Sequence, residues 1–299
     1  MASLEAELDD QTRAELKHLT TPPKVAWPTV VLLAVSVVIL AGSYVAGFTR
    51  ALPLWVAALV NVVVMYNLFS VIHDSIHRSV SRNQKFNDWC GRLASQAMSP
   101  GSNTGVFRWG HIQHHRFTTG EGDPDNCLHG GRAWTLPLRW AVIDIYYLIN
   151  AIRSDQQVAR KHLPWAFAGG AILLMLVGTL VALGYGLEVV MLWLVPTRLN
   201  SILLGFTFFW LPHVPHKVTA AEDPYRATTM RLGAEWLMTP LLQFQNYHLI
   251  HHLYPRTPFY RYGKVWRLLA PYLRQHTLAI QYNHRILPVE EKPEAAVSA

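Results

Sequence analysis

Four stretches of this chain carry almost no charge. Residues 28–48 (PTVVLLAVSVVILAGSYVAGF) are uncharged throughout, and a helix needs about 20 such residues to cross a bilayer core. Residues 53–72 form a second uncharged run, with Asn61 and Asn67 inside it. Residues 163–186 make a third. Residues 187–212 make a fourth, with Glu188 at one end and Arg198 and Asn200 within. Helices of a soluble core usually carry only about 10–14 apolar residues in a row. The lengths therefore predict an all-α integral membrane fold with four transmembrane helices.

The spans pair up. Only TRAL (49–52) separates the first from the second, and the third and fourth nearly abut at GYGLE (184–188). Two helical hairpins follow, which leave both termini and the long middle segment on one side. The cations agree: Arg50 lies in an outer turn and Arg198 inside a span, while every other Lys and Arg falls on the shared side. The positive-inside rule makes that side cytosolic, with a bacterial inner membrane as the expected location. The expected organisation is a cytosolic N-terminal segment (1–27), a membrane domain (28–285) and a disordered tail (286–299), the last ending in VEEKPEAAVSA.

Composition changes this picture little. Apolar residues make up 51% and charged ones 15%, against about 25% charged in a typical soluble domain. The net charge of +7 reads as a basic face toward anionic headgroups or an acidic partner. No basic run or binding motif points to nucleic acid. Cys90 and Cys127 both lie on the reducing side, without a CxxC spacing, which argues against a disulfide or a thiolate zinc site.

The polar segments gather histidine. Of 15 His, eight fall in three groups: His73 and His77 in HDSIH, His111, His114 and His115 in HIQHH, and His248, His251 and His252 in HLIHH. Residues four apart on a helix project from one face, so each group can address one point. All three lie on the same side of the membrane and can converge. One HxxxH arises easily by chance; two HxxHH groups beside it do not. Clustered imidazolium cations would repel one another, whereas neutral rings on a metal would not, and imidazole suits iron, zinc, copper and nickel. Eight rings exceed the four ligands of a tetrahedral zinc, which points to two metals with positions left open. Ligand type alone does not choose the metal. A metal transporter would need ligands near the membrane midplane, and these histidines lie at or outside its edge.

In this order, with spans ahead of the first and third, the three boxes resemble the membrane-bound fatty acid desaturase and hydroxylase superfamily over roughly residues 28–275. The resemblance implies a helical cytosolic cap that holds two non-haem irons, with O2 as co-substrate and two electrons used to attack a C–H bond of a lipid. It implies His73, His77, His111, His114, His115, His248, His251 and His252 as ligands. A further ligand is implied at the end of the last span, where FWLPHVPH offers His213, or else His216. The stretches VIHDSIHRSVSRN, HIQHHRFTTGEGDPD, LPHVPH and QNYHLIHHLYPRTPFYRY are most similar to β-carotene hydroxylases, which implies hydroxylation of a carotenoid β-ring. The elements DPD and HLIHHL also resemble acyl desaturases, so a double bond in an acyl chain, or a related lipid hydroxylation, is the alternative.

Ligating histidines usually donate their second N–H to a carboxylate or carbonyl. Asp74, Asp123 and Asp125 are candidates for that task, although a turn with solvated acids accounts equally well for GDPD. Asn246 is a candidate to hold a metal-bound water, or to cap a helix. Asn61, Asn67 and Asn200 should face the bundle interior, because polar groups are costly in lipid. Arg198 should snorkel or meet a polar end of the substrate. Residues 258–275, aromatic and basic by turns, read as an interfacial helix. With no four-Cys ferredoxin pattern and no GxGxxG loop, electrons should come from an external donor such as ferredoxin and its reductase.

Overall fold

The computed structural model describes residues 2–293. Two short helices, α1 (Ala2–Glu7) and α2 (Asp10–Thr20), precede the first hairpin, α3 (Trp27–Phe48) and α4 (Leu54–Ile76). The middle segment holds α5 (Gln84–Met98), α6 (Thr104–Phe117), α7 (Leu136–Trp140), α8 (Ile143–Arg153) and α9 (Gln157–Arg160). The second hairpin is α10 (Leu163–Ala182) and α11 (Gly186–His213), the latter passing through π-helical turns at Val190–Leu194 and Gly205–Trp210. Beyond it come β1 (Thr229–Leu232), α12 (Glu235–Leu241), α13 (His248–Leu253), α14 (Tyr262–Leu273), β2 (Leu278–Tyr282) and β3 (Val289–Glu291).

Among the described residues, four helical stretches are long and apolar enough to cross a membrane: Trp27–Phe48, Leu54–Ile76, Gln157–Ala182 and Gly186–His213. Their burial differs for a physical reason. Helix α3 buries Leu33, Ser36, Leu40, Ser43 and Gly47, a seam spaced by threes and fours, and its small residues let α4 approach closely. Helix α4 is the most enclosed span. Helix α10 buries none of its side chains. A helix that is apolar all round and unburied needs an apolar solvent, and the bilayer supplies it.

Polar groups at membrane depth are mostly paired. Asn61 donates to the Leu192 carbonyl (2.8 Å), and Asn67 accepts from Gln243 (3.0 Å). Arg198 neither snorkels nor stands free: it pairs with Asp144 of α8 (2.7 Å) and donates to the Ala141 carbonyl (2.6 Å). Arg50 and Glu188 pair across the two outer turns. The side-chain oxygens of Asn61 and Asn200, however, are buried without a partner.

The fold is the expected one, mostly helical with four candidate spans, and the cap adds a small sheet: β1 pairs parallel with β2, and β2 antiparallel with β3. Strands of three to five residues leave little periodic trace, and β1 lies far from β2 in sequence. Two other expectations need correction. The tail is not disordered from 286, because Val289–Glu291 forms β3; residues 294–299 lie outside the described residues. Helix α14 does not lay its apolar face on the bilayer. Tyr262, Val265, Leu269 and Leu273 are buried inside the cap, in one core with Leu4, Leu8, Leu16 and Leu19 of the N-terminal segment. That segment is a strap across the cap rather than a separate arm.

This division of burial is testable. Leu269→Ala, at a fully buried position, should cost about 2–5 kcal/mol through lost contacts and the cavity left behind. Leu174→Ala on α10, 73% exposed in the structure, should leave stability nearly unchanged. Thermal unfolding of both variants in the same detergent measures the contrast.

Candidate metal centre

Four elements deliver histidines to one chamber. The last turn of α4 presents His73, and His77 caps that helix. Helix α6 presents His111, His114 and His115 along one side, two of them four residues apart. The end of α11 contributes His213. Helix α13, only six residues long, carries His248, His251 and His252. Ring centroids stand 4.3 Å apart for His73 and His251, 4.7 Å for His77 and His115, and 4.2 Å for His115 and His252.

The rings sort into two sets. His73, His77, His111 and His251 bring one ligand nitrogen each to within 4.8 Å of the others, as do His114, His213, His248 and His252. His115 lies between the sets, with His251 and His252. The Nε2 of His213 is 3.2 Å from that of His248 and 3.4 Å from that of His252. His111 and His115 approach Nε2 to Nε2 at 3.1 Å. Two nitrogens bonded to one ion at about 2.0–2.1 Å stand about 2.8–3.4 Å apart, from cis to tetrahedral geometry. The Nε2 atoms of His73, His77 and His251 are buried and unpartnered, which is costly unless a cation takes their lone pairs. The chamber fits a pair of metal ions.

Outer hydrogen bonds aim several rings. His114 Nδ1 meets Asp123 at 3.1 Å and Asp125 at 3.3 Å. His248 Nδ1 donates to Gln245 Oε1 (2.6 Å), and His213 Nδ1 donates to the Phe209 carbonyl (2.9 Å). His251 Nδ1 meets the Tyr262 hydroxyl at 2.8 Å. An N–H committed outward leaves the Nε2 lone pair facing in. The electrostatics follow from the same contacts. Burial above all, then repulsion from neighbouring rings, pushes His111, His115, His248, His251 and His252 well below the usual imidazole range. His114 is opposite: burial works against its charge, but Asp123 and Asp125 prevail and raise it to about 9.

The structure separates the remaining candidates. His213 joins the second set, whereas His216 stacks on His129 at 4.1 Å and joins neither. Asp123 and Asp125 hold a ring, with Asp125 also accepting from the Tyr147 hydroxyl (2.7 Å). Asp74 does not hold one: it accepts from Thr29 (2.9 Å) and from the Phe259 backbone N–H (3.2 Å), tying the first box to the chain beyond the third. Asn246 donates to Thr239 (3.1 Å), and its own oxygen is buried without a partner. Sequence reasoning missed Gln245 and Tyr262 as ring partners. Gln245 carried a usable signal, since it lies one helical turn before His248. Gly110 also matters: a Cβ there would sit 2.5 Å from the Tyr147 ring, so only glycine beside His111 lets Tyr147 reach Asp125.

Next to the chamber lies a mostly apolar cavity of about 310 Å³ between α4, α6, α8, α10 and α11. That is the low end of the range for ligand pockets, about 300–1,000 Å³. Phe69, Phe107, Tyr147 and Phe209 form the wall facing the histidines, packed on one another at 5.3–6.2 Å. Phe107 stands 5.7 Å from His111, and Phe69 stands 6.2 Å from His73.

The profile of the family described as fatty acid desaturase matches residues 49–284. The chain belongs to that family. It is also similar to beta-carotene ketolases of two Paracoccus strains. That of Paracoccus sp. (strain PC1) is 28% identical over 203 residues, covering 65% of this chain and 71% of the ketolase. That of Paracoccus sp. (strain N81106 / MBIC 01143) is 28% identical over 202 residues, with the same coverage of each. The protein is thus a desaturase-family oxidoreductase of the membrane, with buried histidine clusters able to bind metal.

Two measurements test the centre. His213→Ala should lower the metal content of the purified protein sharply, whereas His216→Ala should leave it at the wild-type level; elemental analysis of both decides between these rings. Metal loading should also release about one proton per chain at pH 7, from His114, because its partners keep the empty ring charged while ligands must be neutral. The raised pKa means the ring is already neutral above about pH 9, so the release should vanish there. Calorimetric titration in buffers of different ionisation enthalpy reads it.

Proposed function

We propose that this enzyme is a di-iron oxygenase that oxidises a ring methylene of a carotenoid β-ring, using O2 and electrons from outside the chain. His73, His77, His111 and His251 would hold one iron, and His114, His213, His248 and His252 the other, with His115 between them. Irons bound there would supply O2 activation and removal of hydrogen from carbon. The chain's own task is positioning. Asp123 keeps the Nδ1–H of His114 engaged, and Gln245 and the Phe209 carbonyl do the same for His248 and His213. The aromatic wall screens the chamber from bulk water and offers flat apolar faces to a ring.

The observation that carries this reading is the lateral cavity. It is apolar, lies beside the chamber, and has α10, a helix without buried side chains, on its outer side. Such a cavity suits one end of a long apolar molecule whose remainder stays in the bilayer. The likeness to beta-carotene ketolases supports a carotenoid over other lipids. It also favours a course in which hydroxylation of the methylene is repeated at the same carbon, the resulting diol losing water to leave a ketone. An acyl desaturase remains the second reading, favoured by the family's own description. Electrons would come from a ferredoxin and its reductase, with the cap and both termini in the cytosol and the spans in a bacterial inner membrane.

Expression in bacteria that accumulate β-carotene tests the proposal. The expected outcome is new oxygenated pigment, ring ketone in excess of ring alcohol, with the acyl profile unchanged. Unaltered pigment beside new double bonds in acyl chains would establish the second reading instead.

A further inference from the structure

A basic recess lies on the same side of the membrane as the histidine chamber, where the N-terminal strap joins the first span. It has a volume of about 480 Å³, and Lys17, His18, Lys24, Arg82 and Arg261 line it together with three uncharged residues. No carboxylate contributes to the wall.

The cations are not equally available. Arg261 is spent on the strap: its Nη1 donates to the carbonyls of His18 (3.3 Å), Leu19 (3.1 Å) and Thr21 (3.3 Å). These are carbonyls at the C-terminal end of α2, where a helix presents partial negative charge. Arg82 uses its Nε on the Pro22 carbonyl (2.8 Å). Its terminal nitrogens, and the ammonium groups of Lys17 and Lys24, enter none of the ion pairs among the described residues. Three cations held around one concave surface without a counterion repel each other, and an anion relieves that repulsion.

The depth of the recess identifies the anion. Lys24 stands three residues before α3, whose first residue, Trp27, is 66% exposed at the foot of the span, the level at which tryptophan anchors to headgroups. Arg82 lies six residues beyond the end of α4. Backbone bonds fix both levels together, with Ala26 N–H donating to the Val80 carbonyl (2.8 Å) and Arg82 N–H to the Pro23 carbonyl (3.1 Å).

We propose that this recess binds the phosphate of an anionic phospholipid from the adjoining leaflet, with Lys17, Lys24 and Arg82 as its ligands. The lipid would then brace the strap against the cap. Arg261 joins the recess to the chain just before α14, whose first residue, Tyr262, contacts His251. The assignment does not depend on which lipid the enzyme oxidises.

The full chain in detergent provides the test, with dioleoyl phosphatidylglycerol, dioleoyl phosphatidylcholine and inorganic phosphate as probes. Native mass spectrometry should show retained phosphatidylglycerol in about 100-fold preference to phosphatidylcholine, the effect expected of three cations at a membrane surface. Phosphatidylglycerol should raise the melting temperature by on the order of 4 °C. The Lys17→Gln/Lys24→Gln/Arg82→Gln variant should lose both effects. A control of equal charge loss elsewhere, Arg132→Gln/Arg153→Gln/Lys161→Gln, should keep them. Equal retention of the two lipids by the wild type overturns the proposal, and that measurement does not require the variant to fold. So does an equal shift with inorganic phosphate alone. If the triple variant keeps its lipid but binds a reduced acidic ferredoxin more weakly than the control does, the recess is a protein-docking site and the lipid assignment is wrong.

Discussion

Nine imidazoles in one chamber can coexist only if nearly all are neutral. A buried cation is expensive, and several side by side are prohibitive. A neutral imidazole, however, has one donor nitrogen and one acceptor nitrogen, and both must be placed. In this protein Asp123, Gln245 and the Phe209 carbonyl take the N–H of three rings on the outside. The Nε2 atoms of those three rings are thereby left to face the chamber, where the Nε2 atoms of His73, His77 and His251 also lie buried without a partner. An apolar filling would leave those atoms unsatisfied, and protonating them would restore the repulsion. Metal ions bound by the two sets of rings would resolve both difficulties.

Helix length accomplishes the convergence. Helix α11 has 28 residues, about 42 Å at 1.5 Å per residue, and overshoots a hydrocarbon core of about 30 Å. The excess carries His213 beyond the lipid to meet rings from α6 and α13. Helix α4, with 23 residues, overshoots less, and His73 and His77 stand at its very end. Helix α13 is too short to hold itself in place. It is fixed by Leu249, Ile250 and Leu253, buried in the core shared with α14 and the N-terminal strap.

What was legible in the sequence follows from the range of each signal. Uncharged runs longer than a soluble helix identify spans without knowledge of any contact. Histidines three and four apart identify a shared face in the same local way, which accounts for the eight of the three boxes; His213 came from the family resemblance, and spacing alone did not separate it from His216. Partners chosen by tertiary contact were not legible. Asp74 sits inside the first box and looked like a ring holder, yet it faces Thr29 and Phe259. Tyr262 looked like part of an interfacial helix, yet it reaches His251. An amphipathic helix reports that one face is apolar and not what covers it; α14 found protein where lipid was expected. The sheet was missed for a related reason, because β1 pairs with β2 across more than 40 residues.

The cavity and α10 show how an apolar substrate could be admitted without opening the chamber to water. Helix α10 touches the loop after α5 where Gly169 meets Gly101. A Cβ on either glycine would stand 2.5 Å or less from the other's carbonyl oxygen. Glycine on both sides permits this close approach, which fastens α10 near its N-terminal end. Elsewhere α10 buries no side chain, and residues such as Leu163 and Ala166 pack against the core around Phe69 and Tyr147. The inner wall is different: Phe69, Phe107, Tyr147 and Phe209 pack on one another, and Tyr147 is fixed to Asp125, which in turn contacts His114. A lipid-soluble molecule that came in from the side would pass the thinly packed outer wall and meet most steric resistance at the aromatic rings. That resistance is local to the metal centre, which puts selection among substrates beside the chemistry rather than at the entrance.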